Sequence, residues 1–452
     1  MSSKVTKFSR VGFILAVAGS AVGLGNAWKF PTMVGENGGS AFILLYLILT
    51  LGVGFVIFLA ELSIGRLSRK DPVNAYKALS HDKSPWRFVG YSMIGAIMIV
   101  SFYSIIIGWA LKYLFLSFGS LPTDINSSKE LFENLITNDP LSQFICFSLI
   151  FIAVFWVVSK GVISGIEKLN VWMMPTLFIL LILLLGYSVS MSGFWKAAEF
   201  LFVPDFSKVG VSAFLQALGL SFFSLSIGVG SVITYSASLN EKTNFVNSTL
   251  IIILINCLIG LMMGLIVFTF IFEFNASVSQ GPGLIFISLA TLFANLGILG
   301  KVLAIFFFVA LIFAGLTSAV SMVEPFTFYL INSFNCSRKK ALILIGSIVY
   351  ALGSLCILSY YVVTSSYFTF FDKSFFDILD YVASNWMMPL GGFFAAIFVG
   401  FYMDKRQIYK LFSSYMSKTT FDIWYFFVRF ISPVAVVVIM LYELIFKDLI
   451  GG

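Results

Sequence analysis

The chain has 452 residues, of which 59% are apolar, 17% aromatic and only 11% charged, with a mean hydropathy of +0.99. So few charges cannot cover a soluble surface of this size, and the composition points to a polytopic membrane protein. The formal charge of +7 is not a nucleic-acid signal, because its Lys and Arg residues lie in short loops, as topology determinants do.

In chain order, apolar runs predict eleven helical spans, over 11–36, 40–66, 85–118, 141–158, 166–190, 211–238, 244–271, 298–331, 340–360, 374–402 and 421–446. Runs of about 20 residues call for helices rather than for alternating barrel strands. The first run follows Lys4, Lys7 and Arg10 but continues through Gly25-Asn-Ala-Trp-Lys-Phe-Pro31 without a small-residue cleavage site, so it reads as a span and not a signal peptide. With the N-terminus inside, most of the 28 Lys and Arg residues, including Arg66, Arg69, Lys70, Arg338, Lys339 and Lys340, fall in cytoplasmic segments. An odd span count then places the C-terminus outside. Cys146, Cys257, Cys336 and Cys356 are scattered singly and read as reduced packing residues. His81, the one histidine, sits in a polar loop, which excludes a His-based metal site.

Spans 1 and 6 carry matching interruptions, Gly19-Ser20-Ala21-Val22-Gly23-Leu24-Gly25-Asn26 and Ser224-Leu225-Ser226-Ile227-Gly228-Val229-Gly230-Ser231. In hydrocarbon every backbone polar group needs a partner, so a helix opens only where protein lines it. Paired breaks in corresponding spans of two halves mark the substrate site of a secondary transporter. Five spans per half make the halves inverted. The expectation is one all-α transmembrane domain over 1–452, with a first repeat at 1–190, a second at 191–402, and span 11 with the C-terminus at 403–452.

The run Arg10–Pro31, with Glu36-Asn-Gly-Gly39, resembles the first helix of the neurotransmitter:sodium symporter family. Gly161-Val-Ile-Ser-Gly-Ile-Glu-Lys168, Pro204-Asp-Phe-Ser207, Ser221-Phe-Phe-Ser-Leu-Ser226, Gly281-Pro-Gly283 and Phe313-Ala-Gly-Leu-Thr-Ser318 follow in the family's order. The resemblance covers nearly the whole chain and fits the bacterial, eleven-helix, amino-acid-transporting subgroup with its LeuT-like fold.

The resemblance implies one sodium at Ala21, Asn26, Ser224 and Asn256, completed by a substrate carboxylate, and a second at Gly19, Val22, Ala314, Thr317 and Ser318. Neutral oxygens of this kind suit sodium, although Ser, Thr and Gly also serve plain helix packing. The carboxylate would meet the free N–H groups at Leu24 and Gly25 and the Tyr103 hydroxyl, and the amine would meet the opened span 6 and Ser226. The side-chain pocket maps to Ser20, Ile99, Phe223, Val229, Ser318 and Met322. Where amine-carrying relatives place an aspartate, this chain has Gly23, so the substrate brings its own carboxylate. A neutral hydrophobic amino acid follows, and the small Val229 leaves room for an aromatic one. Tyr103 and Phe223 would lid the site from outside. Lys29 takes the place of a family arginine, with Asp380 as its partner and Asp377 as the alternative; a lysine lacks the planar two-pronged bond, so this latch is expected to be looser. Gly165 and Pro175 match the Gly-x9-Pro spacing where span 5 can unwind, with a packing kink as the plainer reading. Glu61, an acid within span 2, is expected to make a structural hydrogen bond.

Departures are as informative. The positions that hold an acid or a chloride site in relatives read Asn256, Gly260 and Leu220, so chloride dependence is left open. The inner latch maps to Lys4, Lys7, Asn332 and Ser238, a weakened set that favours the inward-open state. The expected function is sodium-coupled import of a neutral amino acid across the cell's inner (plasma) membrane by alternating access, as a monomer or homodimer among lipid. A non-transporting amino-acid sensor is the alternative. No constellation for covalent chemistry is present, so the chain is not read as an enzyme.

Overall fold

The computed structural model describes residues 8–81, 85–206, 210–240, 243–274 and 283–445. Lys4, Lys7, Ser207, Gly281 and Pro282 lie outside the described residues. The first apolar run folds as two helices, α1 (Arg10–Ala21) and α2 (Gly25–Glu36), bent by 51° at the break between them. Ser9 starts α1 by accepting the Gly12 N–H on its hydroxyl. Long helices follow: α3 (Ser40–Ser68), α4 (Pro85–Ser117), and, after a connecting segment, α6 (Pro140–Ser159) and α7 (Val162–Val189). That segment holds an amphipathic helix, α5 (Ile125–Thr137), capped by Asp124. The sixth run is divided into α8 (Val211–Ser224) and α9 (Ser231–Ala237). The remaining long helices are α10 (Phe245–Glu273), α11 (Gly297–Phe334), α12 (Arg338–Tyr360), α13 (Phe375–Tyr402) and α14 (Lys418–Leu441).

Among the described residues, nine helices are long and apolar enough to cross a membrane, or ten with the bent pair as one span. The expected and observed helix ends agree to within about a turn. One departure from an all-α reading is a short hairpin, β1 (Thr369–Phe370) against β2 (Lys373–Ser374). Phe371 and Asp372 turn it with φ of 53° and 57°, the left-handed geometry of a two-residue hairpin turn. Phe-Asp is not the Asn-Gly type that would have announced such a turn in the sequence.

Several helices contain a wider π turn: α2 at Gly25–Lys29, α3 at Thr50–Gly54, α7 at Val162–Glu167, α13 at Val382–Met387 and Phe398–Tyr402, and α14 at Phe427–Ile431. Helix α1 packs against α7, α10 and α11; α4 lies along α11; and α9 sits on the second half of α3. The segment between α8 and α9 takes left-handed backbone angles at Ser226, Gly228 and Gly230, with φ of 52°, 86° and 77°. There the chain touches α13 backbone to backbone. A Cβ on Gly228 would fall 2.0 Å from the Met388 carbonyl oxygen, and one on Gly391 would fall 2.0 Å from the Gly228 carbonyl oxygen.

That contact tolerates no side chain. Gly391→Ala is expected to lower the melting midpoint of the purified protein in detergent, at a cost of about 1–3 kcal/mol. Gly186→Ala, where an added methyl meets nothing within 4 Å, is expected to leave the midpoint unchanged.

Candidate functional site

The two breaks face each other in the middle of the bundle. Helix α1 stops at Ala21, so its last carbonyls have no donor one turn on. The Ser20 carbonyl accepts instead from Ser226 Oγ of the opened sixth run at 2.8 Å and from Ser318 Oγ of α11 at 3.1 Å. The Ser20 hydroxyl pairs with Ser321 Oγ at 2.7 Å. Ser20, Ser226 and Ser318, all expected at the site, are thus brought together. On the amine side one contact differs from expectation: Ser226 spends its hydroxyl proton on the Ser20 carbonyl of α1.

On the other side of the break, the Leu24 N–H donates to the Tyr103 hydroxyl at 2.5 Å. A Cβ on Gly23 would lie 2.3 Å from that hydroxyl oxygen and 3.0 Å from Ser318 Cβ. Glycine is required here as long as Tyr103 closes over the break, and an acidic side chain has no room.

Asn26, one turn into the opened run, donates its amide to the Asn256 carbonyl at 2.8 Å and to Asn256 Oδ1 at 2.9 Å. Asn256 Nδ2 reaches the Tyr46 hydroxyl at 3.2 Å, and that hydroxyl meets Ser224 Oγ at 2.9 Å. Asn26, Asn256 and Ser224 therefore form one connected group, joined by Tyr46, which no sequence motif had marked. Asn26 Oδ1 is buried and has no hydrogen-bond partner among the described residues. An unpaired amide oxygen in such surroundings is costly, and a small hard cation would satisfy it.

Of the second expected group, Gly19 lies against Thr317, and Val22 lies near Ala314. A Cβ on Gly19 would lie 3.2 Å from Thr317 Cβ, and the Thr317 hydroxyl donates to the Phe313 and Ala314 carbonyls, at 2.9 and 3.1 Å. Val22, Asn26 and Ala314 line one narrow crevice beside α7 and α10. Ala21, Ile99, Val229 and Met322 are buried, and Val229 lies beside Gly95 of α4, whose added Cβ would be 3.6 Å from Val229 Cγ1.

One end of the site is closed. Phe223 packs on Gly25, where a Cβ would meet its ring at 2.8 Å. Lys29 Nζ stands 3.9 Å from the Phe223 ring centroid and bonds Asp380 at 2.9 and 3.3 Å. Asp380 is therefore the partner, and Asp377 is not: Asp377 sits in the first turn of α13, bonded to the capping Ser374 hydroxyl. Above this lid lies a cavity of about 370 Å³ lined by Met33, Gln216, Leu220, Phe223 and Asn385. On the opposite side, the Phe8 N–H donates to the Ser238 carbonyl at 3.2 Å, and the Phe8 ring meets Tyr235 edge-on. Asn332 bonds Asp71 at 3.1 Å. Glu61, fully buried on α3, accepts the Gly228 N–H at 2.8 Å, the structural hydrogen bond expected of it.

Two interrupted helices whose open segments meet inside a helical membrane bundle define a secondary transporter. The profile described as the Sodium:neurotransmitter symporter family matches residues 6–139 and 135–449. An uncharacterized sodium-dependent transporter of Bacillus subtilis, YhdH, is 35% identical over 439 residues, covering 96% of each chain. One of Haemophilus influenzae is 34% identical over 449 residues, covering 96% of this chain and 97% of its own. Among solved structures, that of MhsT in complex with L-phenylalanine superposes with a TM-score of 0.88 at 35% identity, covering 96% of this chain and 99% of MhsT. The chain belongs to the sodium:neurotransmitter symporter family and has its LeuT-like fold.

Lys29 serves the ion pair and the ring contact at once. Lys29→Ala is expected to speed labelling of an Ile99→Cys variant by an external, membrane-impermeant thiol reagent about tenfold, the combined value of one partly buried ion pair and one cation–π contact. An unchanged rate would place the outer barrier elsewhere.

Proposed function

We propose that the protein is a sodium-coupled symporter that imports a neutral hydrophobic or aromatic amino acid by alternating access. The observation that carries this reading is the buried, unpartnered Asn26 oxygen close to the start of α2, where the Leu24 N–H is held by the exchangeable Tyr103 hydroxyl. An anion and a cation can sit there side by side. The substrate carboxylate takes the N–H ends at Leu24 and Gly25, with Tyr103 turning its hydroxyl to donate. The first sodium sits between that carboxylate and Ala21, Asn26, Ser224 and Asn256. A second sodium sits at Gly19, Val22, Ala314, Thr317 and Ser318. The amine faces the carbonyls of the opened sixth run. Because the carboxylate is itself a sodium ligand, each solute raises the affinity of the other by the same factor.

The bent pair α1–α2 counts as span 1, and α8–α9 as span 6. With the nine long helices this makes eleven spans, five plus five in inverted repeats over 1–190 and 191–402, with α14 outside the repeat. Lys and Arg placement supports a cytoplasmic N-terminus and an outer C-terminus. The pairing of Val229 with Gly95 supports a pocket wide enough for an aromatic side chain, and the phenylalanine bound in MhsT is of that class. Gly23 beneath Tyr103 leaves no place for a protein carboxylate, which favours substrates that carry their own. Asn256, Gly260 and Leu220 offer neither a titratable acid nor an anion site, which favours transport without chloride.

Uptake into proteoliposomes tests this directly. Accumulation of a labelled hydrophobic amino acid is expected with sodium outside, to be lost with potassium, and to persist when gluconate replaces chloride. Binding without accumulation would instead identify a sensor. Val229→Phe is expected to lower uptake of phenylalanine relative to alanine by about 10- to 200-fold, the discrimination that apolar pocket volume provides. An unchanged ratio would remove Val229 from the pocket.

A further inference from the structure

Helix α14 carries a cation for which the described residues supply no carboxylate. Arg429 lies in the π turn Phe427–Ile431, which packs against the π turn Phe398–Tyr402 of α13. A Cβ on Gly400 would fall 2.9 Å from Arg429 Cα, so the two backbones touch and the side chain leaves beside the contact. There its guanidinium carbon stands 4.7 Å from the Phe401 ring centroid and 5.5 Å from that of Phe430. Both rings are about half exposed, at 51% and 46%, on an apolar surface that also shows Phe426, Val434 and Val438. Arg429 Nε is buried and has no hydrogen-bond partner among the described residues. A guanidinium has five N–H donors and no acceptor, and ring faces stabilise its charge without pairing those donors.

The carboxylates at this end of the bundle are engaged elsewhere. Asp422 pairs with Lys405 at 2.7 Å, and Asp404 caps the helix Lys405–Phe412 by accepting the Arg406 N–H. Over residues 403–430 five basic residues stand against these two acids, an excess that attracts anions. Depth narrows the kind of anion. The rings of Trp86 and Tyr402 meet at 5.6 Å, Trp424 and Tyr425 lie side by side, and the Tyr425 hydroxyl donates to the Gly400 carbonyl. An aromatic band of this kind sits at headgroup level. Arg429 is one turn further along α14, ~6 Å beyond Tyr425, where the apolar, lipid-facing surface begins. A soluble anion would have to shed its water to reach that position, whereas a phospholipid phosphate stands beside it with its acyl chains already in hydrocarbon. We propose that Arg429, clamped between Phe401 and Phe430, binds the phosphate of an anionic phospholipid whose acyl chains lie along α13 and α14. The lipid supplies the partner that a charge at this depth requires and ties the Tyr402 end of α13 to α14. This role is independent of which solute the protein carries.

The test is native mass spectrometry of the purified full chain in detergent, titrated with phosphatidylglycerol or with phosphatidylcholine of the same acyl chains. The wild type is expected to bind one phosphatidylglycerol at a concentration about fivefold below that needed for phosphatidylcholine, the advantage of one basic residue beside an anionic headgroup. Arg429→Gln is expected to remove that preference, weakening phosphatidylglycerol about fivefold and leaving phosphatidylcholine unchanged. Lys410→Gln, which removes an exposed charge from the neighbouring helix Lys405–Phe412, is expected to change neither. A wild type without preference, an Arg429→Gln variant that keeps the preference, or an equal weakening of both lipids overturns the proposal. So does an equal loss in Lys410→Gln, which would mark a diffuse attraction to basic surface. A dimer in the spectrum that Arg429→Gln dissociates would make a second copy of the chain the occupant, and the lipid reading falls. Should Arg429→Gln fail to fold, the wild type decides. A phosphatidylglycerol with a photoreactive headgroup is expected to crosslink within 398–402 or 426–430, and crosslinks confined to other segments overturn the proposal.

Discussion

Two stretches of backbone that leave helical geometry in the middle of a membrane bundle must find partners for their N–H and C=O groups, and the architecture is arranged around that need. An unpaired group at this depth costs several kcal/mol. Side chains from three surrounding helices supply the partners. Glu61 of α3 takes the Gly228 N–H, Tyr103 of α4 takes the Leu24 N–H, and Ser318 of α11 gives its proton to the Ser20 carbonyl. The breaks also serve each other, through the bond from Ser226 to Ser20. These pairings differ in kind. The carboxylate at Gly228 is held by packing on every side, whereas the tyrosine hydroxyl at Leu24 occupies a position that another acceptor could take. The Leu24 N–H is thereby kept satisfied by a partner that can be exchanged.

The closure at the Phe223 end of the site is centred on a single ammonium group. Lys29 meets both oxygens of Asp380 and stands over the Phe223 ring, so the latch and the lid share one cation. A guanidinium would spread the same charge over a flat fork suited to the carboxylate. The ammonium is more compact, and its position above the ring makes the ion pair and the aromatic contact rise and fall together. The opposite end is closed differently, by backbone and ring contacts of Phe8 with Ser238 and Tyr235.

Much of this was legible in the sequence. The helices could be placed because twenty-residue apolar runs have no other use in so hydrophobic a chain, and the breaks because Gly-x-Gly has no reason to recur in matching spans. The side-chain groups followed from family motifs. What escaped detection depends on tertiary approach. Tyr46 sits on a smooth apolar run, and only folding brings its hydroxyl between Asn256 and Ser224. The choice between Asp377 and Asp380, three residues apart on one helix, turned on which of them the helix start consumed. The hairpin at Phe371-Asp372 lacked the residue types that usually signal such a turn.

The π turns have a bearing on how such a chain can change over time. Each holds one residue more than α geometry would place in that length. Adding or deleting a residue in a regular helix swings every later side chain by about 100°, which would turn a pocket face toward lipid. At a wide turn the surplus is taken up locally, and the faces beyond it keep their bearings. The turns in α3, α7, α13 and α14 are therefore the points inside the membrane where descendants of this sequence can differ in length by one residue and still present the same walls to the same pocket.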